Sequence, residues 1–137
     1  MEQRDYLMKQ VEMFGFVLGK LLEKLFGMKD TNEILEATNQ TFAKELNLNI
    51  NDLCSMNIDL LLNNEKINNA NLEGIADVLY YILKYSDTKE KTLLATKCLD
   101  IYEYLTISEN TYSFQRDQKI DYLIKSNLIK FNKRIYA

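Results

Sequence analysis

No proline occurs anywhere in the 137 residues, and only four positions are glycine. A β-rich chain of this size needs such residues to turn tightly between strands. Their scarcity favours helices joined by polar loops, since proline is also what most often breaks a helix. Hydrophobic spacing agrees. From Asn71 to Leu105 two apolar stripes repeat at helical period, first Leu72, Ile75, Ala76, Leu79, Ile82 and Leu83, then Leu94, Ala95, Cys98, Ile101, Tyr102 and Leu105. Both follow the i, i+3, i+4, i+7 pattern of one buried helix face. The link Ser86-Asp87-Thr88-Lys89-Glu90 offers Asp87 or Thr88 as a helix cap, with Glu90 completing a box with Asp87. A link this short makes the two helices antiparallel neighbours. The expected fold is all-α, an antiparallel array of five to seven helices with this pair at its centre.

The remaining helices follow from the same spacing. Between about Asp5 and Phe26, the residues Leu7, Val11, Phe14, Leu18, Leu21, Leu25 and Met28 step by four and three, a heptad seam. Met8, Phe16, Val17, Leu22 and Phe26 add apolar surface beyond it, while Glu12, Lys20, Glu23 and Lys24 rule out a lipid-embedded helix. Gly27 ends the segment. Asp30-Thr31-Asn32-Glu33 reads as a capping box for a second helix carrying Ile34, Leu35, Phe42 and Leu46, broken at Asn47. One or two short helices are expected between Ile50 and Leu62, then a polar link from Glu65 to Asn71. The asparagines of this region suit caps and left-handed turns. Ser108-Glu109-Asn110 makes a turn, and a last helix runs from about Ser113 to Lys125 on Phe114, Ile120, Leu123 and Ile124, capped by Asn127. Residues 1–127 form one domain, and residues 128–137 a basic tail.

Histidine is absent, which removes the commonest general base and the commonest metal ligand. No phosphate-cradling glycine loop occurs, and no serine or cysteine has a neighbouring base to activate it. Neither catalysis nor a cofactor nor a metal is therefore expected. Cys54 and Cys98 read as buried, reduced thiols of a cytosolic protein. The start of the chain lacks a basic segment ahead of an apolar run, and no apolar stretch reaches membrane-spanning length, so a cytoplasmic location is expected. Net charge is −3, which disfavours general nucleic-acid binding. Charge is uneven, because from Arg116 onward six basic residues face only two acidic ones.

Two sets of residues stand out as candidate contacts. Tyr80, Tyr81 and Tyr85 from the first helix of the central pair, with Tyr102 and Tyr104 from the second, exceed what the aliphatic stripes need. Tyrosine combines a large apolar body with a polar tip, which suits either packing on neighbouring helices or meeting a partner. In the first helix Gly15 and Gly19 lie four apart, where bare backbone lets another helix approach closely. Val11, Phe14, Gly15, Leu18, Gly19 and Leu22 are accordingly the candidate self-association residues. The function expected is a protein-interaction scaffold that binds itself or another protein. The alternative is a small-molecule or nucleic-acid sensor using an inter-helix pocket and the basic tail.

Two adjacent helices followed by a third resemble a tetratricopeptide-type array, although no second copy of the pair repeats at a clean period. Several segments also resemble an uncharacterised bacterial family of small helical proteins of unknown function. These are Arg4-Asp5-Tyr6-Leu7-Met8-Lys9-Gln10-Val11-Glu12, Leu25-Phe26-Gly27, Lys66-Ile67-Asn68-Asn69-Ala70, and Tyr112-Ser113-Phe114 through Arg116-Asp117. The chain departs from that family where Asn71 and Leu72 stand in place of an acidic pair. The resemblance implies a helical fold and no chemistry.

Overall fold

A computed structural model describes residues 2–126 and 128. Among them are seven helices and no strand: α1 (Glu2–Phe26), α2 (Thr31–Leu46), α3 (Ile50–Ser55), α4 (Ile58–Leu62), α5 (Asn69–Tyr85), α6 (Lys91–Glu109) and α7 (Phe114–Lys125). The spine is α5. Both apolar stripes of the central pair are buried along their whole length, joined by Val78 on α5 and Leu99 on α6.

Cross-helix bonds give the directions. α6 returns antiparallel to α5: the Cys98 thiol donates to the Ala76 carbonyl midway, and Asn69 reaches Ser108 at the far end. α1 runs parallel to α5, since the Val11 carbonyl accepts from Asn71 at one end and the Leu25 carbonyl from the Tyr81 hydroxyl at the other. α7 is parallel to α5 as well, with Arg116 against Glu73, Lys119 against Asp77 and the Tyr122 ring against Tyr80. Phe14, Leu18, Leu21 and Leu25 of α1, Ile34 and Phe42 of α2, Leu53 of α3, Leu61 of α4 and Leu123 of α7 complete one core around the pair.

The asparagine-rich middle is a run of helix stops and starts. Asn47 ends α2 in the left-handed conformation at φ 58°, which asparagine tolerates better than most residues. Asn49 opens α3 with a complete capping box, its side chain accepting from the Asp52 N–H while Asp52 accepts from the Asn49 N–H. Asn57 and Asn68 cap α4 and α5, Asp30 caps α2 and Ser113 caps α7. Each of these side chains accepts one N–H of the first turn, without the reciprocal bond that completes the box at α3.

Four local expectations are corrected. The Asp87–Glu90 box does not form: α6 starts only at Lys91, and Glu90 caps it with no side-chain bond. Asp87 instead donates its N–H to Thr31 of α2, and the buried hydroxyls of Ser86 and Thr88 tighten the turn onto Thr88 and Glu90. A tertiary contact has displaced the local cap. α6 also runs through Ser108 and Glu109, and Asn110 at φ 51° ends it. The segment from Glu65 to Asn71 is no plain link, because Ile67 is buried and Asn71 belongs to α5. Phe114 points into solvent instead of the core. Asn127 and residues 129–137 lie outside the described residues. Both cysteines are buried free thiols.

Candidate interaction surfaces

The α1–α5 crossing is built around glycine and asparagine. Asn71 is buried, and its Nδ2 donates to the carbonyls of Val11 and Lys66 at 2.9 and 2.6 Å. A Cβ on Gly15 would stand 2.8 Å from Asn71 Oδ1, and one on Gly74 would stand 3.0 Å from Leu18 Cδ1. Those two glycines are thus filled by the partner helix. Gly19 is not, as a Cβ there would meet nothing within 4 Å. Beside it runs a groove of about 320 Å³ lined by Leu18, Leu22, Ala70, Gly74 and Asp77 together with Gly15, Gly19 and Asn71. Its floor is made of small residues.

The candidate self-association residues divide accordingly. Phe14 and Leu18 are core residues, and so are Leu21 and Leu25 of the same seam, so these four are not free to meet a partner. Gly15 and Leu22 are half-buried at the groove and Gly19 is open, while Val11 is half-buried further towards the start of α1, outside the groove. The apolar side chains that α1 exposes are others: Met8 and Phe26 on the groove side, with Tyr6, Met13 and Phe16 further round.

The five candidate tyrosines do not share a surface. Tyr102 is fully buried, and its hydroxyl donates to Asp77 Oδ1 at 2.6 Å. Burial foremost, then the Asp77 charge, pushes that phenol well above its usual pKa. Tyr81 bonds the Leu25 carbonyl and its ring packs between Phe26 and Tyr85, at centroid distances of 5.1 and 4.8 Å. Tyr104 is half-buried beside Lys97, Asp100 and Glu103. Tyr80 alone opens onto a second concave surface, between α5 and α7.

That surface is a cleft of about 640 Å³ lined by Tyr80, Lys84, Gln115, Gln118, Lys119 and Tyr122. The Tyr80 and Tyr122 rings meet edge to face at 5.6 Å. The Lys84 ammonium sits 4.8 Å from the Tyr122 ring centre, and 5.5 and 5.6 Å from those of Tyr85 and Tyr80. Lys119 approaches the Tyr80 and Tyr102 rings at 5.7 and 5.8 Å while bonding Asp77 at 2.9 Å. Beneath the cleft α7 is held by a buried clamp. Arg116 gives Nε and Nη2 to the two carboxylate oxygens of Glu73 at 2.9 and 2.8 Å, and Nη2 also reaches Glu109 at 2.9 Å. Those two acids drive the guanidinium pKa further up.

Of these residues the sequence pointed to Tyr80, Tyr85 and Tyr102 alone. A signal for the rest was present: Gln115, Gln118, Lys119 and Tyr122 fall at i, i+3, i+4 and i+7, one face of α7, and Tyr80 and Lys84 at i, i+4 on α5. Of the six basic residues from Arg116 onward, the three that are described, Arg116, Lys119 and Lys125, each pair with a carboxylate. Among the described residues no helix is long and apolar enough to cross a membrane. No protein family, curated protein or solved structure matches the chain.

Proposed function

We propose that the protein is a non-catalytic helical scaffold whose α1–α5 groove receives α1 of a second copy of the chain. Gly19 carries this reading. A glycine inside a helix costs about 1 kcal/mol relative to alanine. Gly15 and Gly74 have a reason within the chain, because Asn71 and Leu18 occupy the space their side chains would take. The bareness of Gly19 is used by nothing among the described residues. What it permits is close approach of another backbone. Met8, Gly15, Gly19, Leu22 and Phe26 fall within about 60° of arc on α1 at 100° per residue. Arg4 falls in the same arc at the start of α1. From Met8 to Phe26, however, the rim is apolar and the middle is bare at Gly19, the relief a second helix would fill. A symmetric pairing uses the same patch twice. The α5–α6 hairpin, the part of the chain that resembles a tetratricopeptide unit, supplies the rigid wall behind it.

Cysteine cross-linking tests the placement, since both native thiols are buried. Glu12 lies exposed on α1 three residues before Gly15, which lines the groove, and Ile107 lies exposed on α6. Mild oxidation of Glu12→Cys is expected to trap a covalent dimer much faster than oxidation of Ile107→Cys. Equal rates for the two variants would rule this interface out.

A further inference from the structure

The α5–α7 cleft holds two lysines in different states. Lys119 is spent within the chain, bonded to Asp77. Lys84 forms no ion pair among the described residues, although its ammonium is close to three tyrosine rings. No carboxylate lines the cleft, and each lining polar group, whether ammonium, phenol or carboxamide, can donate a hydrogen bond. In a chain of net charge −3 a concave surface free of acids is set apart from its surroundings. Lysine carries its charge at neutral pH, so the ammonium at the cleft is a cation there.

We propose that this cleft binds a small molecule through one oxyanion group, a carboxylate or a phosphate, with Lys84 as its ion-pair partner. Gln115 and Gln118 face the cleft from α7 and donate to the anion or to the body of the ligand. The edge-to-face pair of Tyr80 and Tyr122 forms an apolar wall for that body. The volume is of the size that small-ligand sites have. A phosphate, carrying more charge than a carboxylate, also draws Lys119 away from Asp77, whereas a carboxylate is satisfied by Lys84 alone. The site is on a different flank of α5 from Gly19 and does not depend on self-association.

The test is a heteronuclear NMR titration of the full chain with inorganic phosphate in one arm and acetate in the other, each against sodium chloride at matched ionic strength. Saturable shifts confined to Lys84, Gln118 and Tyr122 are expected in at least one arm, and shifts extending to Lys119 mark phosphate. Lys84→Gln is expected to weaken binding at least tenfold, and Tyr122→Leu several-fold though it leaves the charge in place. Both residues are exposed, and the dispersion of the same spectra reports whether each variant is folded. Shifts reproduced by chloride, no saturation in either arm, or binding unchanged in Lys84→Gln would overturn the proposal. Binding indifferent to Tyr122→Leu would mark a bare surface lysine and overturn it too. So would an acidic peptide that binds where neither small anion does.

Discussion

Asn71 Oδ1 stands 2.8 Å from where a Cβ on Gly15 would be, so these two residues fit only while position 15 has no side chain. The amide of the same Asn71 ties the Val11 carbonyl of α1 to the Lys66 carbonyl ahead of α5. One buried carboxamide thereby sets how far α1 can slide along α5. Both of its backbone acceptors would lose their donor if it were displaced.

This separates the glycines by outcome. Gly15→Ala gains about 1 kcal/mol of helix propensity but forces apart a contact far inside van der Waals distance, at a cost of roughly 1–3 kcal/mol. Net destabilisation is expected. Gly74→Ala meets Leu18 Cδ1 at 3.0 Å, with the Cβ and Cγ of the same side chain at ordinary contact distance. A shift of a few tenths of an ångström relieves it, and the change should be close to neutral. Urea midpoints of the two variants check the order. Gly15→Ala more stable than the parent protein would contradict the crossing described.

The clamp on α7 should behave differently from the surface pair on the same helix. Arg116 is 5 % exposed, and its acceptors Glu73 and Glu109 are about a third exposed. Arg116→Gln leaves both acids without their cation, and allowing for solvent screening the expected loss is roughly 2 kcal/mol. Lys125→Gln breaks only the exposed pair with Asp121 and should cost less than about 0.5 kcal/mol. Hydrogen exchange should show the Arg116 variant losing protection in α7 first. Uniform loss across α5, α6 and α7 would mean that the clamp does not hold α7 in particular.

How far the sequence could be read follows from which forces set each feature. The stripes of α5 and α6 were legible because burial of one face leaves a period in the order of residues, and every stripe residue is in the core. The asparagine caps were legible because capping is local. The heptad spacing of α1 marks a seam but not its partner: Phe14, Leu18, Leu21 and Leu25 face the core of this chain, since a heptad pattern does not say whether the partner helix lies in the same chain. Composition groups the five tyrosines without saying that they share a surface: Tyr80 and Tyr81 are adjacent and so point about 100° apart on a helix. The clamp could not be read at all. Arg116 and Glu73 are 43 positions apart, and only the tertiary register of α7 on α5 brings them together.

Stability should fall at alkaline pH. Burial foremost, only partly offset by the Lys97 charge, raises the Cys54 thiol from its usual 9.0 to about 11. The folded chain keeps this proton where the unfolded chain releases it, so the contribution is fully present below about pH 9 and is lost as pH rises towards 11. Burial raises Cys98 and Tyr102 as well, with the same sign. Urea midpoints are expected to hold steady up to about pH 9 and then decline, less steeply in Cys54→Ala. A midpoint that rises with pH through this window would contradict the burial of these groups.

Whether a second copy fills the α1–α5 groove is decided most directly by light scattering over a micromolar concentration series. The protein should move from its monomer mass of 16.1 kDa towards that of a dimer as concentration rises. Gly19→Leu should stay monomeric over the same range while unfolding no earlier than the parent, because leucine is the better helix former and the space there is open. A parent protein that remains a clean monomer at high micromolar concentration, or a Gly19→Leu variant that associates as well as the parent, would contradict the account.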